Sequence, residues 1–492
     1  MKILMAASEV EPYSKTGGLA DVLGALPPAL ARAGHTLGVV TPLYRAVQLL
    51  DAHLLLESLP ITLGPDTHTV RVLTVNARGV THYFLDYPPF FDRDGIYGTP
   101  SGDYPDNAQR FLLFSKAVIE IARRDFHPDI IHCHDWQTGP VPALLKTIYA
   151  GDAELARIPV VLTIHNLGYQ GNFDSSLIGP LGLPPSLLSL DGLEFYGKLS
   201  YLKGGVVFAD AITTVSEAYA REIQTKEYGF GMDGLLSWRS SVLSGVLNGV
   251  DYQSWDPRTD PFIAANYSPE NLAGKAICKR DLLETFGITA DPEKPLIGMV
   301  SRIAAQKGAD VLSAAMQDLM AMDVSMAMLG AGDALYVDLF RSLEVRFPGR
   351  FVLKVAYDEP LAHKVEAGAD LFLMPSHYEP CGLNQMYSLR YGTVPVVRAT
   401  GGLDDTIEPF DLATGNGNGF KFRDYSAPAL LASVSEALAI FPNRELWKKI
   451  MRNGMAQEFS WARSVPKYER IYQQALSARA AAAKSTPTRG PA

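Results

Sequence analysis

Apolar residues in the first half of the chain fall into short runs separated by segments of helical spacing. Residues 2–7 form an apolar run of strand length. A loop with Gly17-Gly18 follows. Leu19, Val22, Leu23, Leu26 and Leu30 then recur along one helix face until Gly34 stops it, and Val39-Val40 begins the next strand. Strand, glycine loop, helix and strand together seed an open α/β sheet. The stretch from about 54 to 87 differs. Val70, Val72 and Thr74, then His82 and Phe84, alternate between turn residues, which predicts an antiparallel insertion. After it the spacing predicts helices over 107–124, 137–150 and 196–208. Strands are predicted over 129–132, 159–164 and 211–215, and Ser216 caps a further helix.

The same logic restarts beyond Asn248-Gly249. Strands are predicted at 295–300, 324–329, 351–355, 371–374 and 394–397, with helices between them. Length alone, 492 residues, would suggest about three domains. The repeated pattern favours two Rossmann-like, doubly wound domains, 1–248 and 249–458, facing each other across a deep cleft. From Ser477 the chain is rich in Ala, Thr and Pro, and 477–492 reads as a disordered tail.

Composition narrows the possible partners. A formal charge of −9 argues against a nucleic-acid surface and against polybasic docking to a membrane. Hydrophobic residues make up 47% and charged residues 20%, enough apolar material for sizeable cores. Three cysteines make no disulfide framework, so a reducing compartment, the cytoplasm, is expected. Glu9 and Glu11 interrupt any secretory core, and no apolar run reaches membrane-spanning length.

Ligands of open α/β sheets bind past the carboxyl ends of strands. Polar residues at those positions are Lys15, Gly17, Gly18, Asp21, His134, Asp135, His165 and Asn166 in the first half. In the second half they are Arg302, Lys307, Tyr357, Glu379, Cys381, Gly382 and Leu383. Gly17-Gly18 at a helix start, flanked by Lys15 and Asp21, is either a phosphate site or a tight turn. Arg302 and Lys307 before Gly308 are either a diphosphate clamp or solvated loop cations. Gly330-Ala331-Gly332 lacks the dinucleotide fingerprint. His132 and His134 have no distant partner at metal-ligand spacing, so no metal is expected. His165 is either a structural histidine or a loop-borne functional one. Glu379, held by Pro380 before Gly382-Leu383, is either a helix cap or an acid presented beside phosphate-binding amides.

Several motifs, in order, resemble one family. They are Lys15-Thr16-Gly17-Gly18-Leu19-Ala20-Asp21, His134-Asp135-Trp136, Ile164-His165-Asn166, Asn248-Gly249-Val250-Asp251, Ser301-Arg302, Gln306-Lys307-Gly308, Glu379-Pro380-Cys381-Gly382-Leu383 and Thr400-Gly401-Gly402-Leu403. The family is the bacterial glycogen synthase group, shared with plant starch synthases. The resemblance implies a GT-B glycosyltransferase, without metal or cofactor. It would transfer glucose from ADP-glucose to the non-reducing end of an α-1,4-glucan with retention of configuration. It also implies a helix at 459–476 that crosses back to the first domain as a hinge. By the same resemblance Glu379 is the acid near the transferred glucose, and His165 contacts that glucose from the opposite domain. Arg302 and Lys307 neutralise the diphosphate, and Lys15, Gly17, Gly18 and Asp21 contact the donor. The Gly382 and Leu383 amides, next to Cys381, bind phosphate; Asp135 and Asn248 meet glucose or acceptor; Tyr357 stacks on the base.

Tyr387 stands eight residues after Glu379, where a neighbouring group carries a second glutamate. No residue makes a clear case for a nucleophile, which favours same-face attack with the leaving phosphate accepting the proton. A binding module, a sugar-nucleotide epimerase and a UDP-glucose enzyme are the alternatives.

Overall fold

The protein, a computed structural model describing residues 1–99 and 101–485, divides into two compact units. The first comprises Met1–Val215, Ala220–Gly249 and the C-terminal helix from Trp461; the second comprises Ser216–Tyr219 and Val250–Ser460.

The first unit is built on a nine-stranded sheet. Its order is Leu243–Gly245, Ala211–Thr214, Val160–Ile164, Ile130–His134, Lys2–Ala6, Thr36–Pro42, Val80–Asp86, Asp66–Ala77, His53–Leu63. The insertion is antiparallel only at Asp66–Ala77. Val80–Asp86, expected to belong to a separate antiparallel segment, instead runs parallel to Thr36–Pro42 and extends the main sheet. The chain builds outward from Lys2–Ala6 on one side and later adds Ile130–His134 on the other. The topological switch point therefore lies between these two strands.

The second unit has a six-stranded parallel sheet, ordered Phe351–Lys354, Ser325–Leu329, Leu296–Val300, Leu371–Met374, Val394–Arg398, Phe420–Phe422. Its switch point lies between Leu296–Val300 and Leu371–Met374. These strands are buried on both faces, which explains their uninterrupted apolar sequences. Both units are Rossmann-like and the class is α/β.

Three expectations about helices need correction. The predicted helix at 137–150 is a short 3-10 turn, Trp136–Thr138, followed by Pro140–Lys146. Gly139 lies between them with helical backbone angles, and a Cβ there would lie 2.2 Å from the Tyr201 carbonyl. The helix predicted from 196 begins at Tyr201, capped by Ser200, and Tyr196 sits in a hairpin. The C-terminal helix spans Trp461–Ser485, so 477–485 is helical rather than disordered; 486–492 lies outside the described residues. Trp461, Val465, Tyr468, Tyr472 and Ala475 recur at helical spacing and pack with Ile3, Leu23 and Leu26 in the core of the first unit. Arg479 anchors the next turn by donating through Nε to the Ala156 carbonyl at 2.9 Å. No helix among the described residues is long and apolar enough to cross a membrane.

Candidate functional site

In the first unit the polar groups gather at the switch point. Glu9 follows the strand Lys2–Ala6 and is buried, 3% exposed. Its carboxylate accepts from the Thr16 amide, from the Thr16 hydroxyl at 2.7 Å and from the Gly17 amide at 3.2 Å. Tyr97 donates to it at 2.6 Å and also meets Ser8 Oγ at 2.7 Å. An internal carboxylate thus already occupies two amides of the glycine loop. That narrows an anion site there to the Gly18 and Leu19 amides, which face no acceptor among the described residues. Lys15 and Asp21, expected as separate ligand contacts, pair with each other at 2.6 Å. A phosphate reaching Lys15 must compete with Asp21.

Across the switch point, Asp135 has φ 57°, uncommon for a residue with a Cβ. Its Oδ1 accepts from the His165 amide at 2.7 Å. Burial pushes this carboxyl up to about 7, against the amides of His165 and Asn166, and the nearby Glu9 charge adds to the rise. His165 Nε2 lies 2.9 Å from His134 Nδ1, and the His134 ring packs against His132 at a tilt of 33° with centroids 4.2 Å apart. His132 is held by Tyr472 at 2.8 Å and Thr163 at 2.6 Å. Burial lowers all three imidazoles, His132 and His165 to about 3, so they are neutral at pH 7. His134 Nε2 faces no partner among the described residues. A buried orphan acceptor is tolerated better than a buried orphan donor. His134 therefore donates through Nδ1, and His165 keeps its own proton on Nδ1. Asn248 is 6% exposed and its amide oxygen likewise has no partner among the described residues.

The Asp135 shift has a direct consequence. Between about pH 4 and 7 the folded chain holds a proton on Asp135 that the unfolded chain releases, so this group's contribution to stability falls as pH rises. Asp135→Asn keeps the oxygen that accepts from His165 and removes the titration. Its melting temperature relative to wild type should rise from about pH 4.5 to about pH 7.5. A difference independent of pH would contradict the shift.

In the second unit Lys307 Nζ lies 2.6 Å from Glu379 Oε2, and Ser376 donates to the same oxygen at 3.0 Å. Glu379 is 4% exposed. Glycines allow this approach. Gly308 has φ 81°, and a Cβ there would lie 2.1 Å from the Pro375 carbonyl, so the loop after Val300 lies against the loop after Met374. Gly402 donates to the Glu379 carbonyl at 3.1 Å, and its own Cβ would lie 1.9 Å from the Cys381 carbonyl. Gly402→Ala should therefore lower stability by ~1–3 kcal/mol and reduce turnover by displacing the Glu379 loop, read by urea denaturation and initial rates.

Arg302 is exposed and donates to Gln306 at 2.9 Å. Gly382 has φ 69° and starts the turn into Asn384–Arg390 with Leu383; the Cys381 thiol is buried. Tyr357 is 77% exposed. Tyr387 stacks on Trp255 at 3.9 Å between near-parallel rings, a packing role for that position. Gly330 and Gly332 pass within 2.1 Å, measured from an added Cβ, of the Ser301 and Ile303 carbonyls, which explains both as close-packing glycines. No three His, Cys, Asp or Glu among the described residues are grouped to hold a metal ion.

Sequence reasoning passed over Ser8, Glu9, Tyr97 and Ser376. Ser8, Glu9 and Ser376 stand just past strand ends, the signal that selected the others. Tyr97 carried no such mark.

Residues 2–238 match the starch synthase catalytic domain, and residues 284–454 match the glycosyl transferases group 1 domain. A glycogen synthase of Koribacter versatilis is 52% identical over 98% of this chain and 99% of its own length. One from Syntrophotalea carbinolica is 47% identical over 97% and 99%. The catalytic domain of starch synthase IV from Arabidopsis thaliana, solved bound to ADP and acarbose, superposes with a TM-score of 0.89 at 32% identity. That match covers 96% of this chain and 99% of the starch synthase domain. Sucrose-phosphate synthase from Thermosynechococcus elongatus, at 16% identity and a TM-score of 0.61, shares the GT-B fold. Likeness along nearly the whole chain, in both units, makes this protein a member of the glycogen and starch synthase family of glycosyltransferases.

Proposed function

We propose that the protein elongates an α-1,4-glucan by transferring glucose from ADP-glucose to its non-reducing end, with retention, releasing ADP. The observation that carries this reading is the Lys307–Glu379–Ser376 cluster at the switch point of the second unit, beside Gly382-Leu383. An acid and a cation held this close together support a role for both at one sugar-phosphate bond. The ADP held by the similar starch synthase supports the choice of nucleotide.

In this reading Lys307, Arg302 and the Gly382 and Leu383 amides stabilise charge growing on the departing diphosphate. Lys15, Gly17, Gly18 and Asp21 meet the donor from the first unit, and Tyr357 stacks on the base. His165 donates from Nδ1 to a glucose hydroxyl, and Asp135 and Asn248 receive sugar hydroxyls. The acceptor hydroxyl attacks C1 from the face the diphosphate leaves. One C–O bond forms as the C1–O phosphate bond breaks, and the hydroxyl proton passes to the leaving phosphate oxygen. Glu379 stabilises the positive charge that develops at the glucose centre. The activated donor must be kept from water while glucose is transferred. Cys133, Cys278 and Cys381 are buried and form no disulfide, which fits a cytoplasmic enzyme.

Initial rates with ADP-glucose and with UDP-glucose on one glycogen primer test the reading. Faster transfer from ADP-glucose is expected. Faster transfer from UDP-glucose would reassign the donor, and turnover without glycogen would indicate an epimerase.

A further inference from the structure

His53–Leu63 is the edge strand of the nine-stranded sheet, and three strands separate it from Lys2–Ala6 at the switch point. This edge and the helix Asn107–Ile121 border a groove of about 390 Å³, lined among others by Thr62, Lys116, Glu120, Arg123, Arg124 and Tyr149. None of these residues belongs to the candidate site.

Lys116 is 8% exposed, yet its ammonium makes one hydrogen bond among the described residues, to the Thr62 carbonyl at 2.6 Å. Glu120 stands four residues later on the same helix face, where it could pair with Lys116. Its Oε2 instead accepts from Arg123 at 2.6 Å and from Arg124 at 2.8 Å. Both arginines lie in the π-helical turn Ala122–Phe126 that ends the helix, and such turns recur at functional sites. Asp152 reaches only Arg123 among these cations, at 3.9 Å. Burial lowers the Lys116 pKa, and no neighbouring charge opposes the fall. A buried ammonium with one acceptor and no counter-ion costs free energy that folding alone does not require.

Lys116, Arg123 and Arg124 against Glu120 leave the lining at +2, in a chain of net charge −9. Each guanidinium gives one nitrogen to Glu120 and keeps others for a ligand. Burial and the Glu120 charge push the Tyr149 hydroxyl up to about 12, so it stays a donor. Arginine forks beside an ammonium are the groups that hold phosphate, and a phosphate dianion matches the charge of the lining. Pro60, Ile61 and Ile148 add apolar surface for a small organic body, and the volume suits a small molecule.

We propose that this groove is a second ligand site that takes the phosphate monoester of a small metabolite, with Lys116 as its buried anchor and Arg123 and Arg124 meeting the phosphate. The site is independent of the glucan reading above.

Calorimetric titration of the full chain with glycerol 3-phosphate tests it, with ADP present in excess to fill the diphosphate clamp. Wild type should bind the ester, and more tightly than inorganic phosphate. Lys116→Met keeps the bulk of the side chain and removes its charge; it should weaken ester binding about tenfold. Arg124→Ala changes a side chain that is 43% exposed, so it tests the site even if the lysine variant folds poorly, and it should weaken binding similarly. Neither variant should change the affinity for ADP. Absence of ester binding to wild type at millimolar concentration, or ester binding that Arg124→Ala leaves unchanged, would overturn the site. Inorganic phosphate bound as tightly as the ester would overturn the assignment to a monoester.

Discussion

Glu379→Ala should lower glucose transfer by on the order of 10³-fold while ADP binds at least as tightly as before. The carboxylate is buried beside the position where the transferred glucose is expected, its partners are Lys307 and Ser376, and being anionic it offers the diphosphate no attraction of its own. Removing it takes away stabilisation that matters in the transition state. It also frees Lys307, so the diphosphate loses nothing and gains an unopposed cation. Calorimetric titration with ADP separates the outcomes. A collapse in ADP affinity would make Glu379 a structural group of the nucleotide loop.

Lys307→Ala has a different signature. It strands Glu379, whose side chain is 6% exposed, without its counter-ion, whereas Glu379→Ala leaves a lysine that is 20% exposed and can turn toward water. The lysine variant should therefore cost about 3 kcal/mol, near the low end for breaking a buried pair because Ser376 still donates to the carboxylate. The Glu379 variant should cost clearly less. The double variant should recover part of the lysine loss, since neither charge is then left alone. Lys307→Ala should also weaken ADP binding, unlike Glu379→Ala. Urea denaturation of the three variants measures this. Equal and additive losses would show that the two groups do not depend on one another.

Much of the site was legible because both sheets follow one rule. Asp135, Arg302, Lys307 and Glu379 stand past strands that flank a switch point, and strand ends can be read from apolar runs. Glu9 obeys the same rule, but its part lies in bonds to Thr16, Gly17 and Tyr97, and no spacing reports those. The hairpin at Tyr196-Gly197 read as the start of a helix because periodicity carries no information about φ. The direction of Val80–Asp86 is set by pairing with Thr36–Pro42, a partner well upstream. The helix beyond 476 was hidden by the Thr- and Pro-containing end, although its run of alanines favours helix and Arg479 ties it to Ala156.

The most direct test of the account follows the fate of the sugar. The enzyme is given ADP-glucose labelled in the glucose, with glycogen as acceptor, and the washed polymer is treated with β-amylase. The account predicts label in the glycogen, released early as maltose, because each new unit sits in α-1,4 linkage at a non-reducing end. Glycogen that stays unlabelled, or label that resists β-amylase, would contradict it.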